Sequence, residues 1–126
     1  MSLSIARGSI WEVRVPFRED VTQSKLRPAA VIGWSKPDGK IDPSILFIPI
    51  SAFGGGSKPL VGDLEITDFK SCGLKKLSYL RTHRLISLDP RVIYGNTHLG
   101  ILDSSLVIQA LYEIEKLFSV PFLEII

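Results

Sequence analysis

Only one segment of this 126-residue chain has the apolar spacing of a helix, and it lies near the C-terminal end. Residues 103–105 offer N-cap oxygens, Lys116 suits the negative end of the helix dipole, and Pro121 ends the segment. Between them, apolar residues recur at intervals of three and four: Val107, Ala110, Leu111, Ile114, Leu117 and Phe118. The rest of the chain consists of short apolar runs divided by turn formers, so it predicts strands, in a bent barrel rather than a parallel sheet.

The apolar runs predict five to seven short strands. The predicted strands are SIWEVRV at 9–15, PAAVIGW from Pro28, ILFIPI at 45–50, DLEIT at 63–67, and one long strand or two short ones at 77–87. Pro28 is expected to open its strand, and Pro49 to mark a strand end or a bulge. Residues 17–26 and 35–44 are polar and rich in turn formers, so we predict loops there. The fold class is therefore mainly β, a small and strongly bent barrel with a C-terminal helix.

Length and composition indicate one domain over residues 1–126. Hydrophobic residues make up 45% of the chain and charged residues 22%, which is typical of a globular domain. We place the core at 7–118. The tail at 119–126 is too apolar for a free terminus, so we expect it to pack on the body or on another subunit.

Several classes of site are not expected. The lone cysteine, Cys72, excludes an internal disulfide and fits a reducing cytoplasm. Neither a histidine nor a second cysteine lies at ligand spacing from it, so we predict no metal and no cofactor. The apolar runs are too short to span a membrane, and the N-terminal residues lack the pattern of a secretory signal. The net charge of +2 is small, but residues 68–91 hold six cations and two acids.

The stretch YLRTHRL at 79–85 is the most informative candidate site. As a strand it would place Tyr79, Arg81 and His83 on one face. Metal-free cleavage of RNA needs a base, an acid and a cation that stabilises charge on phosphorus. Histidine can serve as acid or base, and arginine stays charged. A solvated edge strand is the alternative explanation.

Other candidates are weaker on residue pattern alone. GGGSK at 54–58 lacks the second glycine and the helix of a phosphate-binding P-loop, so we predict a hairpin loop. Arg27 either binds a phosphate or pairs with a loop carboxylate such as Glu19 or Asp20. Ser51 has no Ser–His–Asp arrangement to make it a nucleophile, and we predict that His98 is a surface residue.

Taken in order, five segments resemble the MazF/PemK family of toxin ribonucleases. They are RGSIWEV at 7–13, RPAAVIG at 27–33, FIPIS at 47–51, SYLRTHRLISLD at 78–89 and GILDSSLVIQAL at 100–111. The resemblance implies an SH3-like barrel with a C-terminal helix. It also implies a homodimeric, metal-independent endoribonuclease that cuts single-stranded RNA, leaves a 2′,3′-cyclic phosphate and is held inactive by an antitoxin.

The resemblance assigns roles by position. Arg27 matches the arginine of the family's Arg-Pro motif, and Ser51 stands where threonine is common. Arg81 stands where some members have a catalytic arginine, and His83 where a carboxylate is usual. Either His83 takes over proton transfer, or the site has lost catalysis and kept binding.

The predicted function is therefore a cytoplasmic endoribonuclease toxin without a cofactor, and its alternative is a non-catalytic SH3-like module that binds an antitoxin-like peptide, protein or RNA. Arg27 and Arg81 would bind the scissile phosphate, Ser51 would hydrogen-bond it, and His83 would be the acid or base. The residues expected to guide the RNA are Thr22, Lys25, Lys75, Lys76 and Arg84, with the loop at 54–57. The expected partners are single-stranded RNA, a cognate antitoxin and a second copy of the chain. DNA is expected only through an antitoxin complex.

Overall fold

The computed structural model describes residues 5–16, 22–35, 43–53, 59–93 and 98–118. They form seven strands and one α-helix: β1 Ser9–Pro16, β2 Ser24–Trp34, β3 Ile45–Ala52, β4 Asp63–Ile66, β5 Ser78–Arg81, β6 Ile86–Leu88, β7 His98–Ile101 and α1 Ser104–Leu117. Two short 3₁₀ helices, Thr82–Arg84 and Pro90–Ile93, flank β6.

The strands form a curled antiparallel half-barrel. Six follow the order β4-β5-β3-β2-β1-β7, and β6 pairs with the first half of β3 on the edge opposite β2, the edge that β5 also uses. The long strands β2 and β3 are central, and the register of their pairing shifts between Val31 and Gly33 of β2. The mainly β class with a C-terminal helix is confirmed, and so is the number of strands.

Each face of the sheet carries its own apolar cluster, because side chains alternate along a strand. One cluster joins Ile10, Ala30, Ile48 and Leu80 with Val107 and Ala110 of α1. The other joins Val13, Ala29, Val31 and Phe47 with Ile93 of the second 3₁₀ helix. Helix α1 therefore covers one face, and the site described below lies at the end of the other.

Strand boundaries differ from the prediction where proline was taken as a limit. β2 begins at Ser24, so Pro28 lies inside it opposite Glu12, and β3 continues past Pro49 to Ala52. One missing donor removes a single ladder bond, and the pairs on either side keep the strand. Strand β7 was not predicted. The segment predicted as one long strand or two short ones forms the two short strands β5 and β6.

Two glycines permit a direct crossing of main chains. A Cβ on Gly73 would lie 1.8 Å from the carbonyl oxygen of Leu99, and one on Gly100 would lie 2.2 Å from that of Cys72. Gly73 also has a φ of 80°, a backbone conformation that residues with a Cβ rarely adopt. The turn before β5 therefore rests directly on β7 at a place where no larger residue fits.

Helix α1 begins as predicted. The Asp103 carboxylate caps it by accepting the backbone N–H of Ser105 at 3.3 Å, and the helix ends at Leu117. Three of its apolar residues remain exposed, Ile108, Leu111 and Tyr112, and so does Phe118 directly after it; the predicted apolar stripe had included Leu111 and Phe118. The predicted tail at 119–126 and the loop at 54–57 lie outside the described residues.

Candidate functional site

Arg27 and Ser51 meet where β2 and β3 run side by side. Ala29 pairs with Pro49, so two residues further along the same face Arg27 lies beside Ser51. The Arg27 guanidinium donates from Nη1 to the Ser51 Oγ at 3.4 Å. That distance is long for a hydrogen bond, so the contact is weak. The structure brings together these two residues of the predicted site.

The described surroundings of the Arg27 guanidinium favour binding of an anion; the loop carboxylates Glu19 and Asp20 lie outside the described residues. Arg27 is half-buried, and its neighbour Ser51 is neutral. Within the described part of the chain, no carboxylate lies within ion-pair distance of Arg27. A planar guanidinium fork beside a hydroxyl group suits the oxygens of a phosphodiester.

Tyr79 on β5 lies next to the Arg27–Ser51 pair. It pairs with Ser51 across β3 and β5, and it is only 6% exposed. Its ring lies 5.2 Å from the ring of Phe53, and the Arg81 Cζ lies 5.7 Å from its centroid. Tyr79 therefore joins the Arg27–Ser51 pair to Arg81 on one face.

Burial raises the pKa of Tyr79, the carboxylates of Glu65 and Asp63 raise it further, and Arg81 opposes them. The phenol thus remains a neutral hydrogen-bond donor at neutral pH. Because the folded-state pKa exceeds the unfolded one, the stabilising contribution is complete below the unfolded pKa of about 10 and is lost as the pH rises through the folded pKa.

We expect Tyr79→Phe to reduce the alkaline loss of stability, because the variant has no phenol to ionise at this position. Urea unfolding midpoints of the parent and the variant, measured at about pH 9, 10 and 11, test this. Equal losses in the two proteins would show that Tyr79 does not govern alkaline unfolding.

Arg81 lies in a buried ion pair that the sequence did not reveal. Its Nη1 donates to Asp63 Oδ2 at 2.6 Å, and both side chains are 1% exposed. Asp63 pairs with Arg81 across β4 and β5, and its Oδ2 also accepts the backbone N–H of Leu60 at 2.7 Å. Arg81 is therefore committed to Asp63 and is shielded from solvent.

The alternating pattern predicted His83 on the same strand as Arg81, and this prediction is wrong. Strand β5 ends at Arg81, and His83 lies in the 3₁₀ helix Thr82–Arg84. The Thr82 hydroxyl holds this turn by donating to the carbonyl of Gly62 at 2.6 Å. The His83 Nδ1 nevertheless lies 3.4 Å from Asp63 Oδ1, and its side chain is 18% exposed. Asp63 thus stands between Arg81 and His83.

The four predicted catalytic residues form two groups on the sheet. Arg27 and Ser51 form one, and Arg81 and His83 form the other around Asp63. Arg27 on β2 is separated from Asp63 on β4 by three strand spacings, about 14 Å along the sheet. Tyr79 lies between the groups.

The residues predicted to guide RNA do not form one surface. Lys25 is exposed on the same face as Arg27, and Thr22 and Arg84 are also exposed. Lys75 and Lys76 line a pocket of about 280 Å³ together with Pro28 and Ser78. Pro28 follows Arg27 and Ser78 precedes Tyr79, and neighbouring residues of a strand point to opposite faces of the sheet. This pocket therefore lies on the face opposite to that of Arg27 and Tyr79.

The described residues offer no other candidate site for a phosphate, a metal ion or a membrane. A cleft of about 600 Å³ near the start of α1 is lined by Glu65, Asp68 and Asp103, and its acidic residues disfavour a phosphate backbone. Among the described residues, no group of three or more histidine, cysteine or acidic side chains is placed to hold a metal ion. No helix in the described ranges is long and apolar enough to cross a membrane.

Sequence reasoning missed Asp63 and Phe53. DLEIT was interpreted only as a strand, although an acid at its first position faces a lone arginine when β4 and β5 pair. Phe53 directly follows ILFIPISA, and its position two residues after Ser51 is the signal that was available.

Comparison with known proteins shows the fold. No family model matches the chain, and no curated protein matches its sequence. Among solved structures, MazF of Deinococcus radiodurans superposes with a TM-score of 0.63 at 15% identity, covering 95% of this chain and 100% of that one. The Mycobacterium tuberculosis toxin MazF-mt6 gives 0.60 at 12% identity, covering 87% and 96%. A D. radiodurans MazE-MazF structure gives 0.60 at 14% identity, covering 95% and 99%. The chain thus has the fold of MazF toxins, as its resemblance predicted.

Proposed function

We propose that this protein is a metal-independent endoribonuclease that cleaves single-stranded RNA, as the toxin of a toxin–antitoxin pair. The observation that carries the proposal is the Arg27–Ser51 pair, with Nη1 and Oγ 3.4 Å apart, on a fold shared with MazF toxins. The arginine is half-buried, its neighbour Ser51 is neutral, and no carboxylate among the described residues pairs with it, which supports binding of a phosphate at this place.

The proposed reaction is an attack of the ribose 2′-oxygen on the adjacent phosphorus. A bond forms between the 2′-oxygen and phosphorus, the bond from phosphorus to the 5′-oxygen breaks, and a 2′,3′-cyclic phosphate remains. The 2′-hydroxyl proton goes to a base, and the leaving 5′-oxygen takes a proton from an acid. Arg27 would donate to the non-bridging oxygens as their charge grows, and Ser51 would donate to one of them.

His83 is the proposed acid or base, and Arg81 is now proposed as a positioning residue. The 1% exposure of Arg81 and its contact with Asp63 favour a role through Asp63 and the 3₁₀ helix rather than direct contact with phosphate. His83 lies 3.4 Å from the same carboxylate, which can orient its ring.

The second candidate function is a non-catalytic module that binds RNA or an antitoxin peptide. The three strand spacings between Arg27 and Asp63, the carboxylate that His83 contacts, favour it, because a general acid or base must come within hydrogen-bond reach of the reacting oxygen.

Incubating the purified protein with unstructured RNA in EDTA separates the two candidates. We expect cleavage products ending in a cyclic phosphate, and we expect His83→Ala to lose one limb of the pH–rate profile. RNA that binds but stays intact would favour the binding module. An unchanged profile in His83→Ala would remove this residue from proton transfer.

We also propose that the protein forms a homodimer, binds a cognate antitoxin and works in the cytoplasm. The antitoxin proposal rests on the fold shared with the MazF chain of the MazE-MazF structures. The dimer proposal rests on the exposed apolar residues of α1, which include Ile108 and Tyr112 at 54% and 65% exposure. Sedimentation of a clean monomer at high concentration would argue against it.

A further inference from the structure

Phe53 is a large aromatic side chain held in place but left open to solvent. Its ring lies 5.2 Å from the Tyr79 ring at an interplanar angle of 42°. Phe53 is 51% exposed, whereas Tyr79 is 6% exposed. One side of the phenylalanine is thus packed on the protein, and the other is free to receive a ligand.

The main chain fixes the direction of this ring. The Phe53 backbone N–H donates to the Leu77 carbonyl at 2.7 Å, which continues the register in which Ala52 pairs with Ser78. Phe53 therefore follows the strand pattern one residue beyond β3, and its side chain shares a face with Ser51. Two residues along a strand correspond to about 6.6 Å, a distance comparable to the step from a phosphate to a neighbouring base.

We propose that Phe53 is the platform on which an unpaired nucleobase stacks, next to the phosphate bound by Arg27 and Ser51. This inference rests on the proposed function and names a residue that binds the substrate. Single-stranded RNA is bound through splayed bases that stack on aromatic side chains. A phenylalanine offers a ring face without hydrogen-bonding groups, so it accepts any of the four bases.

The buried ion pair provides a rigid base for this platform. Arg81 lies 5.7 Å from the Tyr79 ring centroid, and Asp63 holds Arg81. The layers follow one another from Asp63 through Arg81 and Tyr79 to Phe53. A ring supported in this way loses little freedom when a base stacks on it.

Leucine and tryptophan at position 53 distinguish stacking from simple packing. Phe53→Leu keeps an apolar side chain against Tyr79 but removes the aromatic face, and Phe53→Trp enlarges that face. We expect Phe53→Leu to raise KM about tenfold with little change in kcat, and Phe53→Trp to retain parental KM. Trp34→Leu is the matched control, since Trp34 is 49% exposed at the other end of β2, and we expect no change in KM.

An abasic substrate provides the decisive comparison. The cleaved sequence is first mapped on total RNA, and the base flanking the cut is then removed from a short synthetic RNA. The KM of the parent enzyme should be about tenfold higher on this RNA than on intact RNA. The KM of Phe53→Leu should be nearly the same on both RNAs. Parental KM for Phe53→Leu on intact RNA would overturn the inference and leave the ribonuclease proposal standing.

A fluorescence measurement tests stacking independently of cleavage. The probe is a 2′-O-methyl oligoadenylate, which cannot be cut, and the signal is the emission of Phe53→Trp minus that of the parent with its two tryptophans. Saturable quenching supports the platform even if no RNA is cleaved. Binding of the probe without quenching overturns it, and a protein that neither binds nor cleaves RNA overturns the proposed function as well.

Discussion

Replacing Arg81 by methionine is expected to destabilise the protein by about 3–5 kcal/mol, because it leaves the Asp63 carboxylate buried without its cation. The pair is joined at 2.6 Å, and each side chain is 1% exposed, so water cannot take over the lost contact. Urea unfolding at neutral pH measures the change.

A second substitution separates the lost charge from lost packing. In the double variant Arg81→Met with Asp63→Asn, position 63 is neutral and keeps an oxygen for the Leu60 N–H, which now donates to Asp63 at 2.7 Å. We expect the double variant to be more stable than Arg81→Met alone. If both are equally destabilised, packing rather than charge explains the loss.

The exposed pair Arg91–Asp89 is the matched control. Its side chains are 84% and 48% exposed, with Nε and Oδ1 3.1 Å apart. Solvent screens such a pair, so Arg91→Met is expected to leave the unfolding midpoint nearly unchanged. A loss as large as that of Arg81→Met would show that burial does not set the difference.

Replacing Arg27 by alanine is expected to lower kcat for RNA cleavage by about 10²–10³-fold, the usual cost of removing one preorganised donor at a developing oxyanion. Arg27 is half-buried, and its described polar contact is a long one to Ser51, so the fold should remain intact. Initial rates under saturating RNA, with an unfolding curve beside them, measure both properties.

Lysine at the same position is the informative companion. Arg27→Lys keeps the positive charge but loses the planar fork that can bind two phosphate oxygens. We expect its kcat to lie between those of the parent and Arg27→Ala. Parental activity in Arg27→Ala would exclude this guanidinium from the reaction, and the proposed site with it.

Local sequence signals predicted the elements and the fold class well. Alternation in SIWEVRV marks β1, and the three-and-four spacing from Val107 onward marks α1 with its Asp103 cap. The resemblance assigned Arg27 and Ser51, 24 residues apart, to one site, and antiparallel pairing of β2 and β3 places them in contact. The strand and the helix depend on a period that the chain carries locally, whereas the Arg27–Ser51 contact depends on the register of β2 against β3.

His83 shows where local reasoning failed. The alternation in YLRTHRL continues through residue 83, but the strand ends at Arg81 because β4, its partner, begins at Asp63 opposite it. The Thr82 hydroxyl then bonds the Gly62 carbonyl and stabilises a 3₁₀ turn. The end of a strand depends on its neighbour as well as on its own residues.

The sequence by itself determined a mainly β chain with one terminal helix, the apolar face of each strand and a cationic segment around Arg81. Only the tertiary structure decided that Arg81 is committed to Asp63, that His83 lies in a 3₁₀ turn after the strand rather than on it, and that Phe53 lies open beside Ser51. The reason is physical: periodicity is a local property of the chain, whereas ion pairing, burial and exposure depend on which distant strands come together and in what register.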